Sequence, residues 1–304
     1  MVRGDERVRV LILGGGGMLG HKLWQVFANR FDTYVTVRQA FNQYARYELF
    51  EPSHVIGHVS VQDFDSVVRV VAAVRPSVVV NCIGIVKQDA ASKDPLLSIS
   101  VNALFPHRLA HLCQAAGVRL IQMSTDCVFS GRKGNYREED VPDAEDLYGR
   151  TKLLGEVSGT NCLTLRTSII GRELAGSHSL IEWFLSQEGE TIRGYRRAIF
   201  SGFTTNALAE IIARITTEHQ SLHGVWHVAS EPINKFELLS LIKQVYNLNI
   251  QIEADEAFVC DRSLNADRFR QATDFISPSW PEMIRQMHQD KTPYTKLRRI
   301  HVNG

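Results

Sequence analysis

The stretch VRVLILGGGGMLGHKLWQVFA, residues Val8 to Ala28, decides the architecture. Val8–Leu13 is mostly apolar and reads as a strand covered on both faces. Four successive glycines follow, and from Met18 to Ala28 the apolar residues recur at helical spacing. Within the turn, Gly14, Gly17 and Gly20 are spaced as GxxGxxG. Glycine permits the tight reversal and a close approach of backbone to ligand. The helix opening at Met18 and Leu19 then presents free N–H groups and a partial positive charge. A strand before such a turn and a helix after it form the setting in which a pyrophosphate is held. Gly14, Gly17, Met18, Leu19 and Gly20 are therefore candidate ligands of a dinucleotide cofactor.

The same alternation continues on the C-terminal side. Strands are expected at Thr33–Val37, Val55–Val59, Val78–Cys82, Arg119–Met123 and Cys162–Thr167, with helices at Phe64–Ala73, Leu96–Ala116 and Glu145–Val157 between them. Apolar strands each followed by a helix imply an α/β fold with a doubly wound parallel sheet of Rossmann type. After Gly171 the rhythm changes. Helical patterns at Leu180–Ser186, Asn206–Thr217 and Phe236–Tyr246 are interleaved with short strand candidates at Ala198–Phe200, Val225–Val228 and Ile250–Ile252. The division expected is a dinucleotide-binding domain over 1–170 and a smaller substrate-binding lobe over 171–290, its elements inserted beside the sheet. A loose basic tail is expected over 291–304.

Bulk properties exclude several functions. The 304 residues carry 34 basic and 33 acidic side chains, a net charge of +1, which is no footprint for nucleic acid or an anionic membrane. The five cysteines, Cys82, Cys113, Cys127, Cys162 and Cys260, include no CxxC pair, so neither a zinc site nor a disulfide framework is suggested. The N-terminus MVRGDERVRV is charged and cannot serve as the apolar core of a signal peptide. No apolar run reaches the ~20 residues of a membrane span, so a cytoplasmic location is expected. His107 and His111 share a helix face at i, i+4, but nothing nearby completes a metal-ligand set, and no metal is expected. Trp183 and Trp226 read as core. Asp126 reads as a local hydrogen-bond acceptor.

The cofactor and the chemistry come from four further positions. In dinucleotide-binding folds the end of the second strand meets the adenosine ribose. Here that end carries Arg38, while Asp32 lies at the strand's beginning. A cation suits a 2′-phosphate, so NADPH is favoured, with NADH possible. Tyr148-Gly-Arg-Thr-Lys152 is YxxxK within a helical stretch, and i, i+4 spacing puts both side chains on one face. A phenol with a pKa of about 10 is too weak an acid or base for neutral chemistry. A nearby ammonium should lower it. The fifth strand ends in Met123-Ser124-Thr125, and Thr125 can hydrogen-bond a substrate carbonyl beside the tyrosine.

These residues carry a family resemblance. The glycine turn, the Thr125 hydroxyl and the YxxxK resemble those of extended short-chain dehydrogenase/reductases. The segment STDCVFSGRKGNYREEDVPDAEDLYGRTKLLGE is similar to the signature of the dTDP-4-dehydrorhamnose reductase family, also called sugar-nucleotide-binding reductases. LRTSII resembles that family's RTSWVY, and NCIGI its NAAA. The resemblance implies NADPH-dependent reduction of the C4 ketone of a nucleotide-linked 4-keto-6-deoxyhexose, on a dTDP- or UDP-sugar. Thr125, Tyr148 and Lys152 would be the catalytic trio, with Lys152 also binding the nicotinamide ribose. By the same resemblance Cys82, Ile83, Gly84 and Asn102 would line the cofactor. Ser60 and Val61 would lie near the adenine, with Ser60 where many relatives carry aspartate. Val86, Lys87, Cys127, Ile169, Thr204 and Arg262 would face the substrate, Arg262 at its diphosphate. Cys127 and Ile169 stand where the family has a tyrosine and a tryptophan, so the sugar pocket should differ, and similar chains reduce UDP-linked N-acetylated sugars. A homodimer is left open. Two rivals share the fold: a nucleotide-sugar epimerase with tightly bound NAD, and a non-catalytic regulatory subunit.

Overall fold

The computed structural model describes residues 7–177, 179–294 and Leu297; the first six residues and most of the segment after Tyr294 lie outside the described residues. In the first half β1 Arg9–Leu13, β2 Asp32–Thr36, β3 Val55–Ile56, β4 Val78–Asn81, β5 Arg119–Met123 and β6 Cys162–Arg166 alternate with helices. These are α1 Met18–Phe27, α2 Asn42–Ala45, α3 Phe64–Val74, α4 Pro95–Ser98, α5 Phe105–Ala115 and α6 Leu147–Leu154. The strands β7 Ile169–Ile170, β8 Thr191–Phe200, β9 Phe203–Thr204, β10 Gly224–His227, β11 Ile233–Asn234 and β12 Gln251–Asp261 follow. Among them run α7 Leu180–Leu185, α8 Thr205–Thr217, α9 Lys235–Tyr246, α10 Asp267–Thr273 and α11 Trp280–His288.

Seven strands form a parallel sheet in the order β3-β2-β1-β4-β5-β6-β10, the doubly wound arrangement expected from the sequence. Successive side chains of a strand face opposite ways. Val10 and Ile12 accordingly join the cluster built on α1, α8 and α11, with Leu23, Phe27, Leu208, Ile212 and Met287. Leu11, Leu13 and Val79 join the other, with Val67, Val71 and Leu109 from α3 and α5. Both faces being covered explains why these strands read as unbroken apolar runs. The first cluster draws residues from both sides of position 170, and the Val225–Val228 candidate is β10, hydrogen-bonded to β6 as the sheet's edge.

Several expectations need correction. Leu96–Ala116 is not one α-helix. Pro106 has no N–H to donate to the carbonyl of Asn102, and the run widens into a π turn over Ile99–Leu104 before α5 continues. Gly155 fills the space beside that carbonyl, where a Cβ would lie 1.9 Å from the oxygen. The short strands expected at Ala198–Phe200 and Ile250–Ile252 are the long β8 and β12, parallel partners with a bulge between Asp255 and Val259. Both carry charged residues on an exposed face, so their strand pattern was masked by polarity. Trp226 is core, but Trp183 is 39% exposed. The start of the expected loose tail is docked: Thr292, Tyr294 and Leu297 are buried, because Thr292 and Tyr294 hydrogen-bond to α1. Among the described residues no helix is long and apolar enough to cross a membrane, and no cluster of side chains could hold a metal.

Candidate active site

The chain winds outward from β1 to β3, then restarts at β4 and winds the other way. The crevice outside the carboxyl ends of β1 and β4 is therefore the switch point at which such sheets take ligands. Both turns meet there. Gly14 sits at φ +89°, and a Cβ on it would come within 3.3 Å of the Cys82 carbonyl carbon and 3.1 Å of Ile83 Cγ1. Gly20 presses on Gly14, where a Cβ would lie 2.1 Å from the Gly14 oxygen. Thr36 at the end of β2 holds the turn, accepting from Gly15 N at 2.8 Å and, through its hydroxyl, from Gly14 N at 3.2 Å. Gly17 is the N-cap of α1 with no side-chain capping bond, so the first N–H groups, at Met18 and Leu19, open onto the crevice. A cradle that any Cβ would fill, facing an uncapped helix end, fits a diphosphate.

Arg38 lies just beyond β2 and is exposed. Tyr44 packs against Gly16, where a Cβ would lie 2.7 Å from Cε1, and its hydroxyl lies beside the backbone of Gln39 and Arg38. The Arg38 segment is thus tied to the glycine turn. Asp32 is engaged at the opposite end of β2, accepting from Arg9 Nε at 2.5 Å. The Ser60 hydroxyl accepts from Gln62 N at 3.3 Å, which shapes the loop into α3, and Val61 packs beside that helix.

Around the chemistry, α6 begins at Asp146, whose carboxylate accepts from Gly149 N at 2.7 Å. Gly149 lets this helix press onto the turn after β5, since a Cβ there would lie 2.2 Å from the Cys127 carbonyl oxygen. That approach brings the Tyr148 phenol beside the Thr125 hydroxyl. The Thr125 hydroxyl also accepts from Cys127 N at 3.1 Å and donates to Asp126 Oδ1 at 3.2 Å. Lys152, one turn along, donates to the Met123 carbonyl at 2.6 Å, and a Cβ on Gly84 would lie 3.8 Å from its Nζ. Burial holds the Lys152 ammonium down at about 8, against the opposing pull of Glu156 and Cys82. The lowering of the phenol expected from Lys152 is not seen. Burial raises Tyr148 above its ordinary value, with Cys127 adding to the rise, while the ammonium is occupied at Met123. The phenol keeps its proton through the neutral range, as any tyrosine does, and burial alone makes it a weaker acid than an ordinary one.

The remaining sequence candidates divide by what their atoms do. Asn102 is buried and its amide clasps the loop after β4, accepting from Ile85 N at 2.9 Å and donating to Ile85 O at 3.1 Å. It shapes the loop carrying Cys82, Ile83 and Gly84 with both ends of its amide engaged. Lys87 pairs with Asp146 at 2.6 Å beside exposed Val86, joining this loop to the start of α6. Arg262 donates from Nε to the Phe129 carbonyl at 2.8 Å, and burial is opposed by Cys127, Cys260 and Asp126 so that its guanidinium stays charged. Ile169 pairs with Phe203 across β7 and β9. Thr204 is fully buried and its hydroxyl caps α8 by accepting from Ala207 N at 3.3 Å, so that oxygen is committed to the helix.

Sequence reasoning missed two groups. Beneath the trio, Arg166 and Glu156 form a two-pronged ion pair, both bonds 2.8 Å, with side chains 6% and 8% exposed. Ser124 donates to the same Glu156 at 2.7 Å, and His227, held neutral by burial with a pKa of about 4, lies 3.3 Å from Arg166. Lys235 begins α9 and places its ammonium 4.1 Å over the Phe200 ring. Burial brings it down to about 8, offset by Asp126, Cys127 and Cys260. A lysine in a helix's first turn opposes the macrodipole, which was the available signal.

Fold and site together define a chain of the extended short-chain dehydrogenase/reductase class. It belongs to the RmlD substrate-binding domain family, which it matches over residues 8–291. It is 35% identical to dTDP-4-dehydrorhamnose reductase of Streptomyces griseus over 49% of this chain and 44% of that protein. The chain thus spans under half the length of that relative. It is 29% identical to methionine adenosyltransferase 2 subunit beta of Danio rerio over 79% of this chain and 74% of that one. In three dimensions it resembles dTDP-4-dehydrorhamnose reductase of Bacillus anthracis in complex with NADP. That likeness has a TM-score of 0.76 and 22% identity, and covers 93% of this chain and 99% of that one.

Proposed function

We propose that this chain is an NADPH-dependent reductase of the C4 ketone of a nucleotide-linked 4-keto-6-deoxyhexose. The observation that carries the reading is the convergence of Tyr148, Thr125 and Lys152 at the carboxyl end of β5, with Lys152 beside Gly84 in the loop that the glycine turn packs against. Bound NADPH would supply a hydride to the ketone carbon. The Tyr148 O–H donates to the ketone oxygen and releases its proton as that oxygen becomes an alkoxide, and Thr125 steadies the same oxygen. Lys152 holds the ribose beside Gly84 and stabilises the phenolate left behind. Arg262 and Lys235 supply cations to the substrate diphosphate. The reductase names among its relatives support this substrate class. Purified protein should oxidise NADPH stoichiometrically with at least one member of a panel of dTDP-, UDP- and GDP-linked 4-keto-6-deoxysugars. If no member is turned over, the reading fails.

The coenzyme preference rests on Arg38. A charge-assisted hydrogen bond from its guanidinium to the 2′-phosphate contributes about 1.5–3 kcal/mol, roughly a ten- to hundred-fold preference for NADPH over NADH. Arg38→Ala should raise KM for NADPH by that factor and leave NADH unchanged. Equal use of both coenzymes by the wild type would make Arg38 an ordinary surface residue.

The similarity to methionine adenosyltransferase 2 subunit beta over most of the chain favours a second reading, a regulatory subunit. The trio argues for catalysis, because a subunit without turnover has no need of a phenol, a hydroxyl and an ammonium at these positions. Turnover on the panel separates the two.

A further inference from the structure

The segment after α11 is bound to the outer side of α1 through a continuous polar network. Lys22, almost fully buried, forms an ion pair with Asp290 and donates to Thr292 Oγ1 at 3.2 Å. Gln25 Nε2 donates to the same hydroxyl at 2.9 Å, and Asn206 of α8 donates to Asp290 at 2.8 Å. The Tyr294 ring lies 5.1 Å from the Lys22 ammonium and 4.8 Å from the Arg172 guanidinium. At the end of this network, Tyr294 Oη is 2.9 Å from His21 Nε2, and His21 Nδ1 is 2.8 Å from the carbonyl oxygen of Gly17.

The direction of each bond follows from chemistry. A carbonyl only accepts, so His21 Nδ1 carries the hydrogen and donates to Gly17 O. Burial and the charge on Lys22 keep the ring neutral, with a pKa of about 4, so Nε2 is a lone-pair acceptor and Tyr294 donates to it. Gly17 O also accepts the first intrahelical bond, from His21 N at 3.2 Å, which occupies both of its lone pairs. The peptide joining Gly17 to Met18 is planar and trans. Fixing its carbonyl down the helix therefore aims the Met18 N–H the opposite way, into the crevice.

We propose that Tyr294 and His21 are positioning residues for the dinucleotide. Together they lock the Gly17–Met18 peptide in the orientation that presents the Met18 N–H to the diphosphate. The proposal rests on the cofactor reading above for its ligand, but its geometry exists in the free protein. Linkage makes the effect reciprocal, so a dinucleotide that binds the locked peptide tightens the docking of Asp290, Thr292 and Tyr294 by the same factor.

The test uses Tyr294→Phe in the full chain, which keeps the ring over Lys22 and Arg172 and removes only the donor. Thr292→Val is the control, because it loosens the segment without touching His21. Titration of NADPH should give a dissociation constant about 3- to 10-fold weaker for Tyr294→Phe, the effect of one lost hydrogen bond, with kcat at saturating cofactor within about twofold. Thr292→Val should change it by less. Hydrogen exchange at the Gly16–Leu19 amides of the free protein should be faster in Tyr294→Phe by a similar factor, whatever the cofactor proves to be. If the wild type binds no dinucleotide but exchange quickens, the cofactor reading fails and the lock stands. The proposal is overturned if exchange at these amides is unchanged in Tyr294→Phe, or if Thr292→Val weakens binding as much.

Discussion

Replacing Tyr148 by phenylalanine should lower kcat by about 10²–10⁴-fold, the range general acid catalysis supplies. The substitution leaves the ring, the α6 helix and the Asp146 cap intact, because none of them uses the phenolic oxygen. Cofactor affinity should change little, since the glycine turn and Lys152 are untouched. The large effect follows from the proton itself: the tyrosine carries the O–H hydrogen to be donated, and phenylalanine has none. Thr125→Val should give a smaller loss, because it removes a hydrogen bond to the developing oxyanion but no proton. Stopped-flow reduction at saturating NADPH would separate the two. Near wild-type turnover by Tyr148→Phe would assign the acid to another group.

The second large effect concerns stability. Arg166→Met leaves the Glu156 carboxylate buried without its partner, and breaking a buried pair from one side costs about 3–5 kcal/mol. Denaturant unfolding should show a lower midpoint at unchanged slope. Glu156→Leu combined with Arg166→Met should recover part of the loss, because the uncompensated charge is then gone. The pair also bears on the site, since Glu156 helps keep Lys152 protonated. A loss below about 1 kcal/mol for Arg166→Met would show that water reaches Glu156 and the pair is not closed.

Local sequence was enough where the structure is itself local. The central strands are covered on both faces, so Val10–Leu13 and Val78–Val80 declare themselves as apolar runs, and Gly14, Gly17 and Gly20 declare the turn. Tyr148 and Lys152 follow from helical spacing. What sequence could not reach depends on distant partners. That Asn102 clasps Ile85 with both ends of its amide depends on the π turn that Pro106 imposes, which no local pattern announces. That the Thr204 hydroxyl caps α8 depends on where β9 hands over to the helix, a boundary not legible locally. Glu156 and Arg166 are ten positions apart, and nothing local says they meet. β8 and β12 carry their charges outward and read as polar segments. The segment from Lys291 to Tyr294 read as the start of a solvated tail from the basic residues around it, because its anchors, His21, Lys22 and Gln25, lie more than 250 residues earlier.

Hydride transfer itself can be followed with a labelled coenzyme. Purified chain is incubated with NADPH deuterated at the nicotinamide C4 and each 4-keto-6-deoxy nucleotide sugar, and the products are read by mass spectrometry and NMR. One deuterium should appear at sugar C4 per NADPH consumed, from one face of the nicotinamide, with Tyr148→Phe giving the same product far more slowly. Unlabelled product with no net NADPH consumed would be the behaviour of an epimerase. No product from any sugar, with the dinucleotide bound, would contradict the reductase assignment and leave the regulatory reading.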